Sequence, residues 1–237
     1  MKYRIFHKIS TESTNLDARA GRPGDVFTAD FQTAGRGRLD HTWQSAAGEN
    51  LMMSVVLSVG DRPPDQVATL PLAVGLAVIR GLSPFVRQGL SPSEPLLKWP
   101  NDVLVDGRKL AGILCERHGD HVIAGIGVNV KQSKFAKDIE KRAISLVQMG
   151  TDPKIEQVRD AILAALTEVV ATWRRDGFAA ILSDLAACDC LRGRMLGVMQ
   201  TDDDRAPIRG LCGGIQEDGS LLVGDTRIYA GEAHVLP

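Results

Sequence analysis

The sequence has few cysteines, little net charge and no long uninterrupted hydrophobic run. Its four cysteines, Cys115, Cys188, Cys190 and Cys212, have neither the spacing of a disulfide framework nor that of a zinc site, so we interpret the Cys-x-Cys pair as structural. The formal net charge of −1 argues against bulk nucleic-acid binding, which needs a basic surface, although it leaves room for a local basic site.

Signals for export or membrane insertion are missing from the pattern as well. Residues 1–8 alternate charged and apolar side chains and lack the apolar core of a signal peptide. The most apolar segment, residues 67–82, contains Thr69 and Pro71 and is too short to span a bilayer, so we predict a buried helix there. These features favour a cytoplasmic protein with reduced cysteines. We expect no association with a membrane and no metal-binding site.

The remaining pattern predicts an α+β fold. With 44% hydrophobic and 24% charged residues, 237 residues suffice for one good-sized domain and a small one. Strands are predicted over residues 3–9, 25–32, 51–59, 96–99, 103–105, 109–116 and 121–130. Asp106-Gly107 favours a two-residue hairpin, and links this short exclude parallel crossovers, so we expect a mixed or antiparallel sheet.

Helices are expected to cover this sheet. Residues 65–86 carry little charge and are predicted to form a helix buried on most sides. Thr14 to Asp17 fits a capping box that opens a short helix. Asp152-Pro153 predicts the start of a long amphipathic helix, with Asp152 as its cap and Gly177 as its stop.

The sequence pattern changes near residue 187, from long helical periodicity to short strand-like runs. Short strand-like runs over residues 195–199, 208–215, 220–223 and 227–229 alternate with turns, which suggests a small β-barrel. We therefore expect a catalytic or binding domain at residues 1–186 and a barrel at residues 187–237.

The first candidate site is a glycine–arginine loop, residues 32–38, that follows a predicted strand. Gly35 and Gly37 let the backbone approach a ligand closely, and Arg36 and Arg38 supply planar, permanently charged donors suited to phosphate or carboxylate. The pattern favours a loop that closes over a small anion. A solvated turn is the alternative, and the loop alone does not decide between them.

The second candidate site is Lys98-Trp99-Pro100-Asn101-Asp102, which breaks a strand with proline and places basic, amide and acidic groups together. Lys109 lies on the returning strand of the hairpin and is expected to face the same pocket, where Gly112 leaves space for a ligand. The alternative is a hairpin loop with a surface lysine. Two other signals are set aside: Gly125-Ile126-Gly127 is half a dinucleotide fingerprint with no crossover helix, and His118 and His121 fit a hairpin tip.

Taken together, the motifs resemble those of biotin–protein ligases, in one order along nearly the whole chain. They are Ser13-Thr14-Asn15, Gln32 with Gly35-Arg36-Gly37-Arg38, Trp43, Lys98 to Asp102, Lys109 to Ile113, and Gly125-Ile126-Gly127-Val128-Asn129. The resemblance implies a catalytic domain of the biotin/lipoyl ligase type, similar to class II aminoacyl-tRNA synthetases, with a C-terminal SH3-like β-barrel. A lipoyl or octanoyl ligase or transferase shares this fold and is the alternative, although such relatives are not expected to combine both motifs.

The implied reaction has two steps. Biotin and ATP give biotinyl-5′-AMP and pyrophosphate, and a lysine of a biotin carboxyl carrier domain then displaces AMP; Mg²⁺ is expected with ATP. The implied catalytic residues are Lys109, Arg36, Arg38 and Asp102. The implied biotin-binding residues are Ser13, Thr14, Asn15, Gln32, Arg36, Gly37, Arg38, Lys109 and Gly112. The implied ATP- or AMP-binding residues are Arg38, Trp43, Lys98, Asn101 and Asn129.

Several assignments stay open at this point. Asp102 either helps deprotonate the acceptor lysine or caps the turn, and Lys98 either binds phosphate or pairs with Asp102. The chain departs from the family at Leu39-Asp40-His41, where relatives carry a glycine and a basic residue, so we expect weaker ATP binding. The motifs begin by Ser13, which leads us to expect no DNA-binding domain and no DNA partner. The sequence does not specify the acceptor carboxylase, and the resemblance makes acetyl-CoA carboxylase the default expectation. Exposed sheet edges would permit a homodimer.

Overall fold

The computed structural model describes residues 2–38, 41–90, 93–199 and 207–236. Leu39 and Asp40, on which part of the expected departure from the family rests, lie outside these residues. Seven strands form one sheet in the order β1-β2-β3-β7-β6-β5-β4. Their bounds are β1 Arg4–Thr11, β2 Asp25–Gln32, β3 Asn50–Ser58, β4 Leu96–Lys98, β5 Asp102–Val105, β6 Arg108–His118 and β7 His121–Asn129.

This sheet is mixed. β1 pairs with β2 in parallel, whereas every other pair of neighbouring strands in the sheet is antiparallel. The predicted hairpin between β5 and β6 is confirmed, since Asp106 has φ 50° and Gly107 has φ 74°, the left-handed values that a two-residue turn of this kind requires.

The helices are α1 Thr14–Asp17, α2 Pro64–Val67, α3 Leu70–Arg87, α4 Ile155–Asp176 and α5 Ala179–Cys188, with 3₁₀ turns at Ala18–Ala20 and Val147–Met149. The predicted burial of the apolar helix is confirmed, because most side chains of α3 belong to the main core. Taken together, α2 and α3 form a 24-residue stretch, Pro64–Arg87, that is long and apolar enough to cross a membrane by length and composition. The expectation that it would be too short was wrong, and 72% of the most apolar window is buried inside the protein.

The two faces of the sheet differ in what they contact. Successive side chains of each strand point to opposite faces, so alternate residues belong to different faces. On β3, Leu51, Met53, Val55 and Leu57 enter the core with α3 and α4, and the alternating residues Met52, Ser54 and Val56 face the other way. On β7, Ala124, Ile126 and Val128 likewise enter this core, while Gly125 and Gly127, which alternate with them, lie on the opposite face. The face opposite α3 and α4 is therefore free to carry a cleft.

A second sheet follows α5. Its five antiparallel strands are β8 Met195–Met199, β9 Ile208–Ile215, β10 Leu221–Val223, β11 Thr226–Ile228 and β12 Glu232–Val235, in the order β11-β10-β9-β8-β12. The first four were predicted, whereas β12 and the helix α5 were not. The two sheets meet where the buried Trp99 indole donates a hydrogen bond to the Gly219 carbonyl at 3.0 Å. The domain boundary at residue 187 stays a prediction.

Two predicted helix caps were wrong. At α1 the N-cap is Ser13 and no side chain caps the helix, because Thr14 bonds Gln32 and Asp17 bonds Lys8 and Thr11. At α4 the helix begins at Ile155 rather than near Pro153. The Gln157 side chain accepts a hydrogen bond from the Lys154 backbone N–H at 2.9 Å, while the Asp152 carboxylate pairs with Lys131. In both cases a tertiary contact takes the side chain that would have capped the helix.

The contact of α3 with α4 depends on the absence of a side chain at Gly81. A Cβ atom at this position would lie 2.7 Å from the Ile162 Cα atom and 2.9 Å from its backbone nitrogen. Since backbone atoms in a packed helix pair cannot yield locally, Gly81 fixes how closely the two helices approach.

We predict that Gly81→Ala lowers the free energy of unfolding by about 1–3 kcal/mol, because the methyl group overpacks this contact. The measurement is urea denaturation followed by circular dichroism. Gly75→Ala is the matched control in the same helix, since its Cβ would meet only the flexible end of the Leu97 side chain at 2.7 Å. An equal loss of stability in both variants would contradict the argument.

Candidate active site

An open cleft of about 780 Å³, solvent at its mouth included, lies on the face of the first sheet opposite α3 and α4. The structure brings most of the predicted site residues to this cleft. Its lining includes Ser13, Thr14, Asn15, Gln32, Arg36, Gly37, Arg38, Trp43, Asn101, Asp102, Lys109 and Gly112. Lys98 and Asn129 do not line it. The ligand roles of all these residues stay predictions.

The floor of the cleft is built from glycines on β6 and β7, where Gly112 pairs with Gly127 and Leu114 pairs with Gly125. A Cβ atom at Gly127 would lie 2.6 Å from the Trp43 indole, and one at Gly112 would lie 3.0 Å from the Lys109 Cε atom. A Cβ atom at Gly125 would collide with the Asn15 side-chain oxygen. The glycine repeat that resembles half a dinucleotide fingerprint thus makes room for site side chains.

At one end of the cleft lies a polar pocket, which we call the ring pocket and define by Thr14, Asn15, Gln32 and Ser54. The parallel pairing of β1 with β2 brings the short connection after β1 beside Gln32 at the end of β2. The Gln32 side-chain oxygen accepts hydrogen bonds from the Thr14 backbone N–H at 2.8 Å and from the Thr14 hydroxyl at 3.0 Å. The buried Ser54 hydroxyl lies 2.7 Å from the Thr14 hydroxyl and 2.6 Å from the Asn15 side-chain oxygen. These polar groups are therefore held in fixed positions.

The other end of the cleft, which we call the charged end, contains Lys109, Asp102 and Arg38. Lys109 Nζ lies 2.7 Å from Asp102 Oδ1, so this carboxylate pairs with Lys109 and the suggested Lys98–Asp102 pair is not formed. Burial lowers the pKa of the Arg38 guanidinium, and the nearby Asp102 and Glu232 carboxylates act in the opposite direction. Because arginine keeps its charge under such shifts, two cations stand here beside one carboxylate of β5.

The indole of Trp43 lies between the two ends. It covers the glycine floor, and the Lys109 ammonium is 5.8 Å from its ring centroid, a distance that permits a cation–π interaction. Its Nε1 atom is buried without a hydrogen-bond partner in the described part of the chain. A flat aromatic surface with a free donor is thus present inside the cleft.

The segment that we call the arginine loop comprises the described residues 33–38 and 41–43. It contributes to the lining of this cleft and is held by one ion pair and one hydrogen bond. Arg36 Nη1 lies 3.2 Å from Glu116 Oε1 on β6. His41 Nε2 lies 2.8 Å from Glu232 Oε1 on β12, and this hydrogen bond holds the pKa of the Glu232 carboxyl below its ordinary value. The loop is therefore tethered to the first sheet at one end and to the second sheet at the other.

The side chains of two predicted site asparagines donate hydrogen bonds to backbone carbonyls. The Asn101 side chain donates to the Ile113 carbonyl at 2.8 Å, which ties the segment before β5 to β6. The buried Asn129 side chain donates to the Lys109 carbonyl at 3.2 Å and to the Ile144 carbonyl at 3.1 Å. Asn129 thus fixes the position of the Lys109 backbone. Lys98 lies on the edge strand β4 and does not line the cleft.

Sequence reasoning missed three residues of this site: Ser54, Glu116 and Glu232. Ser54 lies in no motif and Glu232 was given no role, and their partners lie far away along the chain. Glu116 had a usable signal, because Gly112, Leu114 and Glu116 alternate along β6 and so share one face. The tryptophan of the second motif has a structural contact, since Trp99 is buried and its indole donates a hydrogen bond to the Gly219 carbonyl.

Comparison with known proteins identifies similar sequences and structures. A family model described as the biotin/lipoate A/B protein ligase family matches residues 7–132. The chain is 39% identical over 171 residues to the biotin–[acetyl-CoA-carboxylase] ligase of Mycobacterium tuberculosis, a match that covers 69% of this chain and 63% of that relative. The chain therefore spans less than two thirds of the length of that relative.

Two further matches extend over nearly the whole chain. The biotin–[acetyl-CoA-carboxylase] ligase of Paracoccus denitrificans is 31% identical over 229 residues, which covers 90% of this chain and 91% of that relative. The solved structure of the Aquifex aeolicus biotin protein ligase in complex with biotin and ATP matches with a TM-score of 0.84 and 26% identity over 98% of both chains. The predicted fold, a helix-covered sheet followed by a small β domain, is confirmed by this match. The chain belongs to the biotin/lipoate A/B protein ligase family.

Proposed function

We propose that this protein activates biotin with ATP to biotinyl-5′-AMP, with release of pyrophosphate, and transfers biotin to a lysine of a biotin carboxyl carrier domain. The observation that carries the proposal is the order of groups along one cleft, with the polar ring pocket at one end and Lys109 and Arg38 at the other. Relatives with 39% and 31% identity carry the name biotin–[acetyl-CoA-carboxylase] ligase, which supports the same conclusion.

The first step requires two anions to meet. The biotin carboxylate attacks the α-phosphorus of ATP, and pyrophosphate leaves with the electron pair of the broken P–O bond. Lys109 and Arg38 offset the negative charge at the reacting atoms, which lowers the barrier because the charges are held in place before the reaction begins. Asp102 forms an ion pair with the Lys109 ammonium at 2.7 Å. Trp43 offers its ring to the adenine.

In the second step the neutral amine of the acceptor lysine attacks the carbonyl carbon of the adenylate, and AMP leaves. The amine loses a proton in this step, and Asp102 is the candidate acceptor because its carboxylate lies at the charged end of the cleft. The arginine loop covers the mixed anhydride and keeps water away from it.

Mg²⁺ enters this scheme as part of the nucleotide substrate. In the described residues no cluster of three or more His, Cys, Asp or Glu side chains could hold a metal ion. The Asp102, Glu116 and Glu232 carboxylates near the cleft are each paired with a basic side chain. We therefore propose that the triphosphate oxygens supply the ligands of Mg²⁺, which offsets the charge of the leaving pyrophosphate.

The partner is a carboxylase carrier domain, as the names of the relatives imply. We retain a cytoplasmic location, supported by four free thiols, and no DNA partner, supported by the near-zero net charge. A homodimer is supported by the open edge strand β1, where Phe6 and Ile9 are exposed. The lipoyl or octanoyl alternative has less support, since the named relatives are biotin ligases.

The deciding experiment incubates the protein with MgATP, biotin and a biotin carrier domain, and follows the carrier by mass spectrometry. We expect the mass increase of one biotin on one lysine, and biotin-dependent exchange of labelled pyrophosphate into ATP without the carrier. Lipoate and octanoate are the control acids. Modification of a carrier domain with lipoate but not with biotin would establish the alternative function.

We predict that Lys109→Ala lowers the rate of pyrophosphate exchange by at least about 100-fold, because it removes a charge that stabilises the transition state. Lys154→Ala is the matched control, since this exposed lysine precedes α4 and does not line the cleft. Unchanged thermal unfolding of the variant would show that the fold is intact. Retention of substantial exchange activity would remove Lys109 from its assigned role.

We predict that Arg36→Ala speeds the loss of biotinyl-AMP from the enzyme by about tenfold, because the loop loses one charged tether. The measurement is release of preformed, radiolabelled adenylate in the absence of carrier. Arg87→Ala, which removes an exposed arginine from the end of α3, serves as the control. The shielding role fails if adenylate escapes no faster from the Arg36 variant than from the control.

A further inference from the structure

We propose that Glu116 is a positioning residue that fastens the arginine loop to the ring pocket and thereby controls how long biotin stays bound. This inference rests on the proposed function and adds a residue that neither motif contains. Glu116 touches no reacting group of the charged end. It acts through Asn15 on one side and Arg36 on the other.

The evidence begins with the two oxygens of this carboxylate. Glu116 Oε2 accepts a hydrogen bond from the Asn15 side chain at 2.6 Å, and Glu116 Oε1 lies 3.2 Å from Arg36 Nη1. Glu116 is 80 positions from Arg36 and 101 positions from Asn15 in the sequence, so its carboxylate joins separate parts of the chain. Glu116 is largely shielded from solvent, whereas Arg36 is half exposed.

The Asn15 side of the contact is rigid. Asn15 is buried, its amide oxygen lies 2.6 Å from the Ser54 hydroxyl, and its amide nitrogen also approaches the Leu114 carbonyl at 3.4 Å. The absence of a side chain at Gly125 allows this placement. Since Asn15 is held by Ser54 of β3 and by the Leu114 carbonyl of β6, Glu116 receives a fixed hydrogen bond that orients its second oxygen toward the loop.

The Arg36 side of the contact belongs to the arginine loop. Within the described residues of the arginine loop, Gly37 N–H donates to the His41 carbonyl at 2.6 Å and Trp43 N–H donates to the Gly35 carbonyl at 3.0 Å, so these bonds hold the loop to itself. The start of the loop is fixed to the end of β1, because Thr33 N–H donates to the Thr11 carbonyl at 2.9 Å and Ala34 N–H donates to the Glu12 carbonyl at 3.0 Å. The Arg36–Glu116 pair is the side-chain contact that ties the loop to β6. Release of this pair would let the loop lift from the end of the cleft where the ring pocket lies.

The Arg36–Glu116 pair also indicates that the two arginines have different roles. Arg36 is neutralised by Glu116 next to the ring pocket, whereas Arg38 stands near Asp102 at the charged end. A charge already paired at 3.2 Å contributes little to offsetting a phosphate at the other end of the cleft. Loss of Glu116 should therefore affect biotin retention and leave the chemical step almost unchanged.

The test is Glu116→Gln, which keeps an oxygen for Asn15 and removes the charge that holds Arg36. We expect the biotin dissociation rate, measured by stopped flow without ATP, and the KM for biotin to rise about fivefold, as for the loss of a partly exposed ion pair. We expect kcat for pyrophosphate exchange to stay within about twofold of the wild-type value. Glu94→Gln is the matched control, since it breaks the remote Arg87–Glu94 pair.

A double-mutant cycle with Arg36→Gln completes the test. If Glu116 acts through Arg36, adding Glu116→Gln to Arg36→Gln changes the biotin dissociation rate by less than about twofold. Three results would overturn the proposal: an unchanged dissociation rate in Glu116→Gln, an equal effect of Glu116→Gln with and without Arg36, or a fall of kcat as large as the rise of KM.

The two levels of inference fail separately. If the wild-type protein binds biotin but does not exchange pyrophosphate, the proposed reaction is wrong, and the dissociation rates still test Glu116. If the wild-type protein is active and Glu116→Gln releases biotin like the wild type, only the role of Glu116 is wrong.

Discussion

The site depends on the antiparallel pairing of β6 with β7, which places glycines side by side on one face of the sheet. Gly112 stands opposite Gly127, and Gly125 is the next residue of β7 on that face. Apolar side chains of the same strands fill the core on the other face, so the pairing register cannot slip by one residue without exposing them. The packing of the core thereby fixes the floor of the cleft.

This floor explains how charged and polar groups from distant segments come together. Space above the glycines is taken by Asn15 from α1, Lys109 from β6 and Trp43 from the arginine loop. The charged groups then separate into two sets, with Arg36 and Glu116 at the ring pocket and Lys109, Asp102 and Arg38 at the opposite end. A ligand with a neutral polar ring and an acid group at its far end matches this arrangement.

Much of the fold could be predicted from sequence because its signals are local. The alternation along the strands and the Asp106-Gly107 turn determine where the strands of the meander lie, and the structure agrees. Caps were harder, because Asp152 and Thr14 are drawn into contacts with residues that lie near them only after folding. The site motifs were found by resemblance. The alternation along β6 places Glu116 on the face of the cleft, but it does not reveal the contacts of Glu116, which span 80 and 101 residues.

The hydrogen bond from the Trp99 indole to the Gly219 carbonyl has a consequence for how the two sheets depend on each other. Trp99 lies between β4 and Asn101, so the same short segment anchors the second sheet and carries a side chain of the cleft. A chain cut off before Gly219 would leave a buried N–H without its acceptor and strip cover from a large aromatic surface. Removal of the C-terminal residues would therefore disturb the segment that carries Asn101 in the cleft wall, even though most of the removed residues do not line the cleft.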